Sequence, residues 1–201
     1  ALMMDIPQDI LARDDRLLLH QLRLLEWMDA NSKKKDSPSD ADQAEQDEQN
    51  AAPIPEQWKL TRDISLYNWQ QECVANWFKA GQRGTVKVVT GAGKTLLGMA
   101  IAELLQNKTE PRLRVAIVVP TVVLMHQWYD ELLERGNLPA RAIGRLGGGY
   151  KEDLEEDRRI LIAVLASART QLAPLVSKSG HGSHLLLIAD ECHRTGATLM
   201  S

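Results

Sequence analysis

Cysteine is scarce in this sequence of 201 residues, which contains only Cys73 and Cys192. The two stand in dissimilar sequence contexts, so a disulfide framework is not predicted, and this cysteine usage suits the reducing cytoplasm. Cys192 is followed by His193, but no second Cys/His pair at metal-ligand spacing accompanies them. A structural zinc site is therefore not predicted either.

Long apolar runs are also missing, and none is long enough to span a bilayer. The leucine-rich N-terminal stretch is interrupted by Arg16, Arg23 and Glu26, unlike a signal peptide. We therefore expect no membrane partner. With 44% hydrophobic residues, the chain has enough apolar side chains to bury one full core, with some sequence left over.

Charge is unevenly distributed, although the net charge is only −3. Residues 1–56 contain 13 acidic and 6 basic side chains, whereas residues 57–201 contain 14 acidic and 18 basic ones. Within the acidic part, residues 1–30 repeat leucine at helical spacing and predict an amphipathic helix that packs on a neighbouring domain. Residues 31–56 have almost no large apolar group and predict a disordered linker. The mildly basic remainder is compatible with a nucleic-acid partner.

Apolar, β-branched runs alternate with helical patterns from residue 57 onward. Strands that are apolar throughout indicate a buried parallel sheet with right-handed crossovers. The predicted fold class is therefore α/β, a parallel sheet flanked by helices. Polar and glycine-rich residues follow the strands, where open α/β sheets bind ligands. The predicted strands are residues 85–90, 114–120, 140–146, 159–165 and 184–190.

The segment "TGAGKT" lies between a predicted strand and a predicted helix, the context of a phosphate-binding loop. Its glycines would let successive backbone N–H groups surround a β-phosphate. Its lysine would reach β- and γ-phosphate oxygens, and its threonine hydroxyl would ligate Mg²⁺. The general pattern has glycine where this chain has Val88, and an ordinary glycine turn is the alternative. The nucleotide-binding residues predicted here are Thr90, Gly91, Ala92, Gly93, Lys94 and Thr95.

Asp190 and Glu191 follow the apolar residues 185–188, at the carboxyl end of a predicted strand. Hydrolysis of a nucleoside triphosphate needs one carboxylate beside the metal and another that orients or deprotonates the attacking water. Because adjacent residues at a strand end point in different directions, Asp190 can face Mg²⁺ while Glu191 faces the γ-phosphate. An isolated acidic pair could simply cap the next element, but the preceding phosphate loop favours catalysis by Lys94, Asp190 and Glu191.

With "TGAGKT" and the "DECH" box of residues 190–193 in this order, residues 57–201 resemble the first RecA-like motor domain of superfamily-two helicases and translocases. The resemblance is greatest to XPB-type repair helicases and the motor subunits of restriction enzymes. It implies a P-loop NTPase domain that uses ATP and Mg²⁺. It also implies that Gln70, in "LYNWQ", contacts adenine through its amide, which can donate and accept. His193 would couple the nucleotide site to a second domain.

The same resemblance implies contacts with a nucleic-acid backbone, with DNA favoured over RNA. Such contacts hold phosphate without reading bases. One family contact commonly uses a threonine where this chain has Val164, so Ser167 is the candidate substitute. For the glycine-rich segment of residues 144–150, a plain loop without ligand is an equal alternative. The predicted contact residues are Pro120, Thr121, Arg145, Gly147, Gly148 and Ser167.

The family's next motif and its second RecA-like domain do not occur in these 201 residues. That domain supplies arginines worth roughly 10³–10⁵ in rate in related chemistry. We therefore expect a larger parent protein, and slow hydrolysis by this chain alone. The predicted function is the ATP-binding half of a nucleic-acid-dependent ATPase that moves along a strand. The alternative is a nucleotide-gated clamp or scaffold without unwinding, whereas a GTPase is disfavoured because no N-K-x-D sequence occurs.

Overall fold

The computed structural model describes residues 52–62, 64–88, 91–155 and 157–191. The described residues form two compact units. The first unit contains residues 64–97, and the second unit contains residues 52–62 together with those from Gly98 onward. The predicted N-terminal helix, most of the predicted linker, Thr90 and His193 lie outside the described residues.

The described residues form four α-helices and five β-strands. Short 3₁₀ turns at Ala140–Ala142 and Gly182–His184 lead into two of the strands. Among the described residues, no helix has the length and apolar character needed to cross a membrane. The helices are α1 (Asn68–Lys79), α2 (Lys94–Lys108), α3 (Val122–Arg135) and α4 (Leu165–Ser179), and the strands are β1 (Arg114–Val119), β2 (Ile143–Gly147), β3 (Tyr150–Lys151), β4 (Ile160–Val164) and β5 (Leu185–Ala189).

The second unit is built on a five-stranded sheet with the order β3-β2-β4-β1-β5. Strand β1 is parallel to β4 and β5, and β2 is parallel to β4. Ile117 in β1 lies opposite Ile162 in β4 and Ile188 in β5. Strand β4 is buried over its whole length and β1 at five of its six positions, as continuous apolar runs require. The predicted α/β class is thus confirmed.

The sheet differs from the predicted parallel arrangement at one side. The outermost strand there, β3, is antiparallel to its neighbour β2. Gly147 pairs with Tyr150, which leaves Gly148 and Gly149 as a two-residue hairpin turn. Both turn residues have positive φ, 61° and 99°, as a type I′ turn requires. The glycine-rich segment is therefore a hairpin that caps the sheet edge.

The predicted strand of residues 85–90 is wrong for its described part, since residues 85–88 have no regular secondary structure. Their β-branched side chains favour an extended backbone, but a strand also needs a partner for its backbone hydrogen bonds. The ladders found in the described part of the chain involve only β1 to β5. The prediction failed because these residues favour a strand locally but have no neighbouring strand with which to pair.

Helix α1 belongs to the first unit and buries one face. Its buried residues, Gln70, Cys73 and Val74, follow helical spacing. Trp77 and Phe78 are partly buried and stack edge to face, with ring centroids 5.2 Å apart. Burial raises the pKa of the Cys73 thiol. This cysteine is therefore a packing residue rather than a reactive one.

A segment of residues 56–61, here called the strap, lies along α2 in the second unit. Trp58 and Leu60 are only 1% and 0% exposed. Asn107 accepts a hydrogen bond from the N–H of Trp58 at 2.8 Å and donates one to its carbonyl at 2.8 Å. One carboxylate oxygen of Glu103 accepts from the N–H of Leu60 at 2.6 Å, and from the N–H and hydroxyl of the next residue at 2.9 and 3.0 Å. The backbone of the strap thus makes its hydrogen bonds with side chains of α2.

Replacing Glu103 with alanine is expected to lower the free energy of unfolding by about 2 kcal/mol, because two backbone N–H groups and one hydroxyl lose their acceptor. Urea unfolding followed by circular dichroism measures the change. Glu131→Ala is the control, since the ion pair of Glu131 with Arg135 lies at the surface and its loss should change stability by less than about 1 kcal/mol. Equal losses in the two variants would contradict the role of Glu103.

Candidate nucleotide and nucleic-acid sites

The predicted phosphate loop, in the first unit, turns sharply before α2. Gly91 and Gly93 have φ values of 82° and 87°, a region that glycine adopts readily and other residues avoid. The carbonyl of Gly93 accepts from the N–H of Leu97 at 3.1 Å, so the helical hydrogen bonds begin there. Lys94 is the first residue of α2. The first N–H groups of a helix have no intrahelical acceptor, so this loop can hold an anion.

Gln70 is fully buried and connects α1 to this loop. Its Nε2 donates to the carbonyl of Gly93 at 3.1 Å, and its Oε1 accepts from the N–H of Tyr67 at 2.9 Å. A Cβ added at Gly93 would lie 2.8 Å from this Nε2. A side chain at this position would therefore displace the Gln70 amide, and the positive φ favours glycine as well. An amide can make two hydrogen bonds at each end, so these two leave capacity for adenine, and that role stays a prediction.

The acidic pair lies at the end of β5, in the second unit. The N–H of Asp190 donates to the carbonyl of Val118 at 2.9 Å and extends the pairing with β1. Oδ2 of Asp190 accepts from Nε1 of Trp128 at 3.0 Å, and Oδ1 accepts from the N–H of Glu191 at 2.9 Å. Glu191 has φ of 55°, which a non-glycine residue rarely adopts. The strand thus ends abruptly at a carboxylate with a defined orientation.

The segments that follow β1, β2 and β4 (a loop, the hairpin turn and the first turn of α4) meet at the edge of the sheet formed by the carboxyl ends of these strands. A Cβ added at Gly147 would lie 2.8 Å from Oγ of Ser167 and 3.0 Å from Cβ of Val164. One added at Gly148 would lie 2.8 Å from the side chain of Val122, which begins α3. Three of the predicted nucleic-acid contacts are therefore brought together, because parallel strands end at the same edge of a sheet.

Pro120 and Thr121 connect β1 to α3 at this edge. Thr121 is exposed and is the N-cap of α3, where its hydroxyl accepts from the N–H of Leu124 at 3.3 Å. Threonine is a favoured N-cap because its oxygen satisfies a free N–H of the first turn. The hydroxyl can still donate a hydrogen bond outward, as a contact with phosphate would require.

Arg145, in β2, lies between two tyrosine rings rather than in open solvent. Its guanidinium carbon is 4.0 Å from the ring centroid of Tyr129 and 3.9 Å from that of Tyr150. The carboxylate of Glu152 is 3.9 Å from its Nε. Burial and the positive charge of Arg145 lower the pKa of nearby His126. Neither tyrosine is among the residues predicted from the sequence, although Tyr150 directly follows the glycine turn.

Gly147→Ala and Gly149→Ala form a matched pair, since both glycines have φ near 100° but only Gly147 touches neighbouring side chains. Both variants strain the backbone. We expect Gly147→Ala to lower the free energy of unfolding by about 1–3 kcal/mol more, because its Cβ also overlaps Ser167 and Val164. Thermal or urea unfolding measures the difference. Identical losses would mean that the turn and the start of α4 do not touch.

Comparison with known proteins identifies relatives of this chain. A family model described as "Type III restriction enzyme, res subunit" matches residues 63–200. The DNA 3'-5' helicase XPB of Kineococcus radiotolerans is 33% identical over 132 residues, which are 64% of this chain and 22% of that protein. The DNA 3'-5' translocase XPB2 of Sulfurisphaera tokodaii is 31% identical over 145 residues, which are 72% of this chain and 28% of that protein.

The chain matches only part of the length of each relative. The chain spans 22% and 28% of the lengths of the two XPB proteins. Among solved structures, T4 UvsW superposes with a TM-score of 0.52 at 21% identity, covering 75% of this chain and 29% of that one. At this identity the likeness concerns the fold, and it agrees with the α/β architecture described above.

Proposed function

Because the chain belongs to the family of the type III restriction enzyme res subunit, we propose that it is the ATP-binding part of a nucleic-acid-dependent ATPase, a helicase or translocase that couples ATP hydrolysis to strand movement. The predicted resemblance to superfamily-two motor domains is confirmed by this family and by the XPB relatives. The activity, substrates and partners of the whole protein are our proposals.

The observation that carries this proposal is the loop at the start of α2. Two glycines with left-handed φ values precede a helix that begins with lysine. A positive side chain at a helix N-terminus is unfavourable unless an anion neutralises it. We assign the β-phosphate to the N–H groups of Gly91, Ala92 and Gly93, with Thr90 leading into the loop. The ammonium of Lys94 would bind β- and γ-phosphate oxygens.

Magnesium is the metal that suits the remaining donors. The hydroxyl of Thr95 and the carboxylate of Asp190 are hard oxygen ligands, which Mg²⁺ prefers. The described residues contain no group of three His, Cys, Asp or Glu side chains that could hold a metal. Mg²⁺ needs only one or two protein oxygens because it retains waters and binds substrate phosphates. When bound, it would neutralise charge on the phosphate oxygens, while Glu191 orients the attacking water.

The edge where the segments after β1, β2 and β4 meet is the proposed nucleic-acid surface. Thr121 offers a hydroxyl, Gly147 and Gly148 offer backbone N–H groups, and Ser167 offers a second hydroxyl beside them. Pro120 belongs to the segment after β1, and Arg145, in strand β2 of the hairpin, would add positive charge. DNA is favoured over RNA because the XPB relatives are described as DNA helicase and DNA translocase. Contacts of this kind hold backbone without reading bases.

The proposed motor also needs parts beyond this chain, since the XPB relatives are much longer. We propose a second RecA-like domain as its partner, with His193 coupling the two and Gln70 contacting adenine. We retain the proposed organisation of an N-terminal helix in residues 1–30, a linker in residues 31–56 and a motor domain in residues 57–201. A cytoplasmic location is proposed from the cysteine usage.

Lys94→Ala is expected to weaken binding of Mg²⁺-ADP roughly 10- to 100-fold, because charge-assisted hydrogen bonds to phosphate are lost. Isothermal titration calorimetry measures the affinity. Lys108→Ala, at the exposed last position of α2, is the control and should leave the affinity unchanged. If the wild-type chain gives no binding heat with any nucleotide, the proposal fails.

The motor itself is tested by ATPase rates with and without single- and double-stranded DNA or RNA. The 201-residue chain alone should hydrolyse ATP very slowly, since the arginines of a second domain are worth roughly 10³–10⁵ in rate. Rapid hydrolysis by this chain alone, abolished in Lys94→Ala, would contradict the need for a second domain. In the parent protein, nucleic-acid-stimulated hydrolysis without strand displacement or translocation would indicate a clamp.

A further inference from the structure

Trp128 makes a hydrogen bond with Asp190, the carboxylate proposed above to face the metal. Trp128 lies in α3 and is 3% exposed. Its indole N–H donates to Oδ2 of Asp190 at 3.0 Å, across 62 positions of sequence. A tryptophan has only this one polar group, and it is directed at the carboxylate proposed to hold magnesium.

The position of the Trp128 ring is set by close packing against α2. A Cβ added at Gly98 would lie 3.0 Å from Cη2 of Trp128 and 3.5 Å from Cδ1 of Ile188. Glycine at this point lets the indole approach the helix. Ile188 is two residues before Asp190, so it projects from the same face of β5. Because the ring is packed this tightly, its orientation is fixed and its N–H points in one direction.

The carboxylate of Asp190 accepts hydrogen bonds from two N–H groups, one from the neighbouring backbone and one from a side chain of another element. Oδ1 accepts from the N–H of the next residue, Glu191, at 2.9 Å. This contact is local and moves with the strand end. The hydrogen bond from Trp128 comes from a separate helix, so it connects the carboxylate to α3 as well as to its own strand. Each oxygen keeps a second acceptor site for a metal-bound water.

We propose that Trp128 is a positioning residue, whose indole N–H holds the Asp190 carboxylate in the orientation that binds Mg²⁺. This inference rests on the proposed function, in which Asp190 is the metal-facing carboxylate. The N-cap of helix α3 is Thr121, which is proposed to contact nucleic acid and lies about two turns before Trp128. One rigid helix thus carries both the nucleic-acid contact and the group that orients the metal ligand.

The hydrogen bond is tested directly by nuclear magnetic resonance of the ¹⁵N-labelled 201-residue chain. The chain has five tryptophans, and Trp128→Phe identifies the indole signal of Trp128 by its loss. In Asp190→Asn the acceptor is no longer charged, so that proton should move upfield and exchange faster with water. Glu191→Gln removes a neighbouring charge but leaves the acceptor, and should move the signal less. An equal shift in both variants, or none in Asp190→Asn, would overturn the proposal.

The consequence for metal binding is tested with Trp128→Phe, which keeps a buried aromatic ring but lacks the donor. Its affinity for ADP with Mg²⁺ should fall roughly tenfold, as for other residues that orient a metal ligand, while its affinity in EDTA should match the wild type. Trp58→Phe is the control. It removes the same atoms from a site that is 1% exposed and should keep the wild-type Mg²⁺ dependence.

The outcomes separate this inference from the proposed function. If the wild-type chain binds no nucleotide, the proposed function fails, while the resonance measurement still reports whether Trp128 holds Asp190. If the wild type binds Mg²⁺-ADP and Trp128→Phe binds it equally well, the proposed role of Trp128 is overturned and the function stands. Equal losses of affinity for Mg²⁺-ADP in Trp128→Phe and Trp58→Phe would show that the effect comes from core packing. That result would also overturn the proposed role of Trp128. If Trp128→Phe does not fold, the indole signal of Trp128 is assigned by replacing the other four tryptophans with phenylalanine one at a time, and its response to Asp190→Asn decides.

Discussion

The parallel pairing of β1 with β4 and β5 determines where the candidate residues of the second unit lie. Because parallel strands end at the same edge of a sheet, the segments after β1, β2, β4 and β5 are gathered there. The ladder continues one residue past β5, where the N–H of Asp190 donates to Val118. A shift of one residue in this register would turn the side chains of β5 to the opposite face and remove Asp190 from Trp128.

Glycine is used where two backbones or a backbone and a ring must approach closely. Gly147 leaves no room for a side chain beside Ser167, and Gly98 leaves none beside Trp128. In both places the absent Cβ lets a candidate site form from elements that are distant in sequence. The hairpin turn uses glycine for a different reason, since positive φ is needed there whether or not a neighbour is near.

Polar side chains proposed to meet ligands also make hydrogen bonds or stacking contacts within the protein. Gln70 bridges α1 and the phosphate loop, and Arg145 is enclosed by Tyr129 and Tyr150. A buried polar group must find partners in the free protein. These contacts give the proposed ligand-binding residues a fixed starting geometry, which limits the conformational entropy lost on binding.

Sequence alone determined the features that depend on neighbours along the chain. Apolar runs located β1, β2, β4 and β5, and the residue types at 91–95 and 190–191 marked the candidate nucleotide chemistry. Propensity failed at residues 85–88, because a strand also needs a partner. Only tertiary structure decided the tyrosine pair around Arg145, the strap on α2 and the bond from Trp128 to Asp190. Those contacts join residues many positions apart, and sheet register and helix packing, rather than local pattern, set which side chains meet.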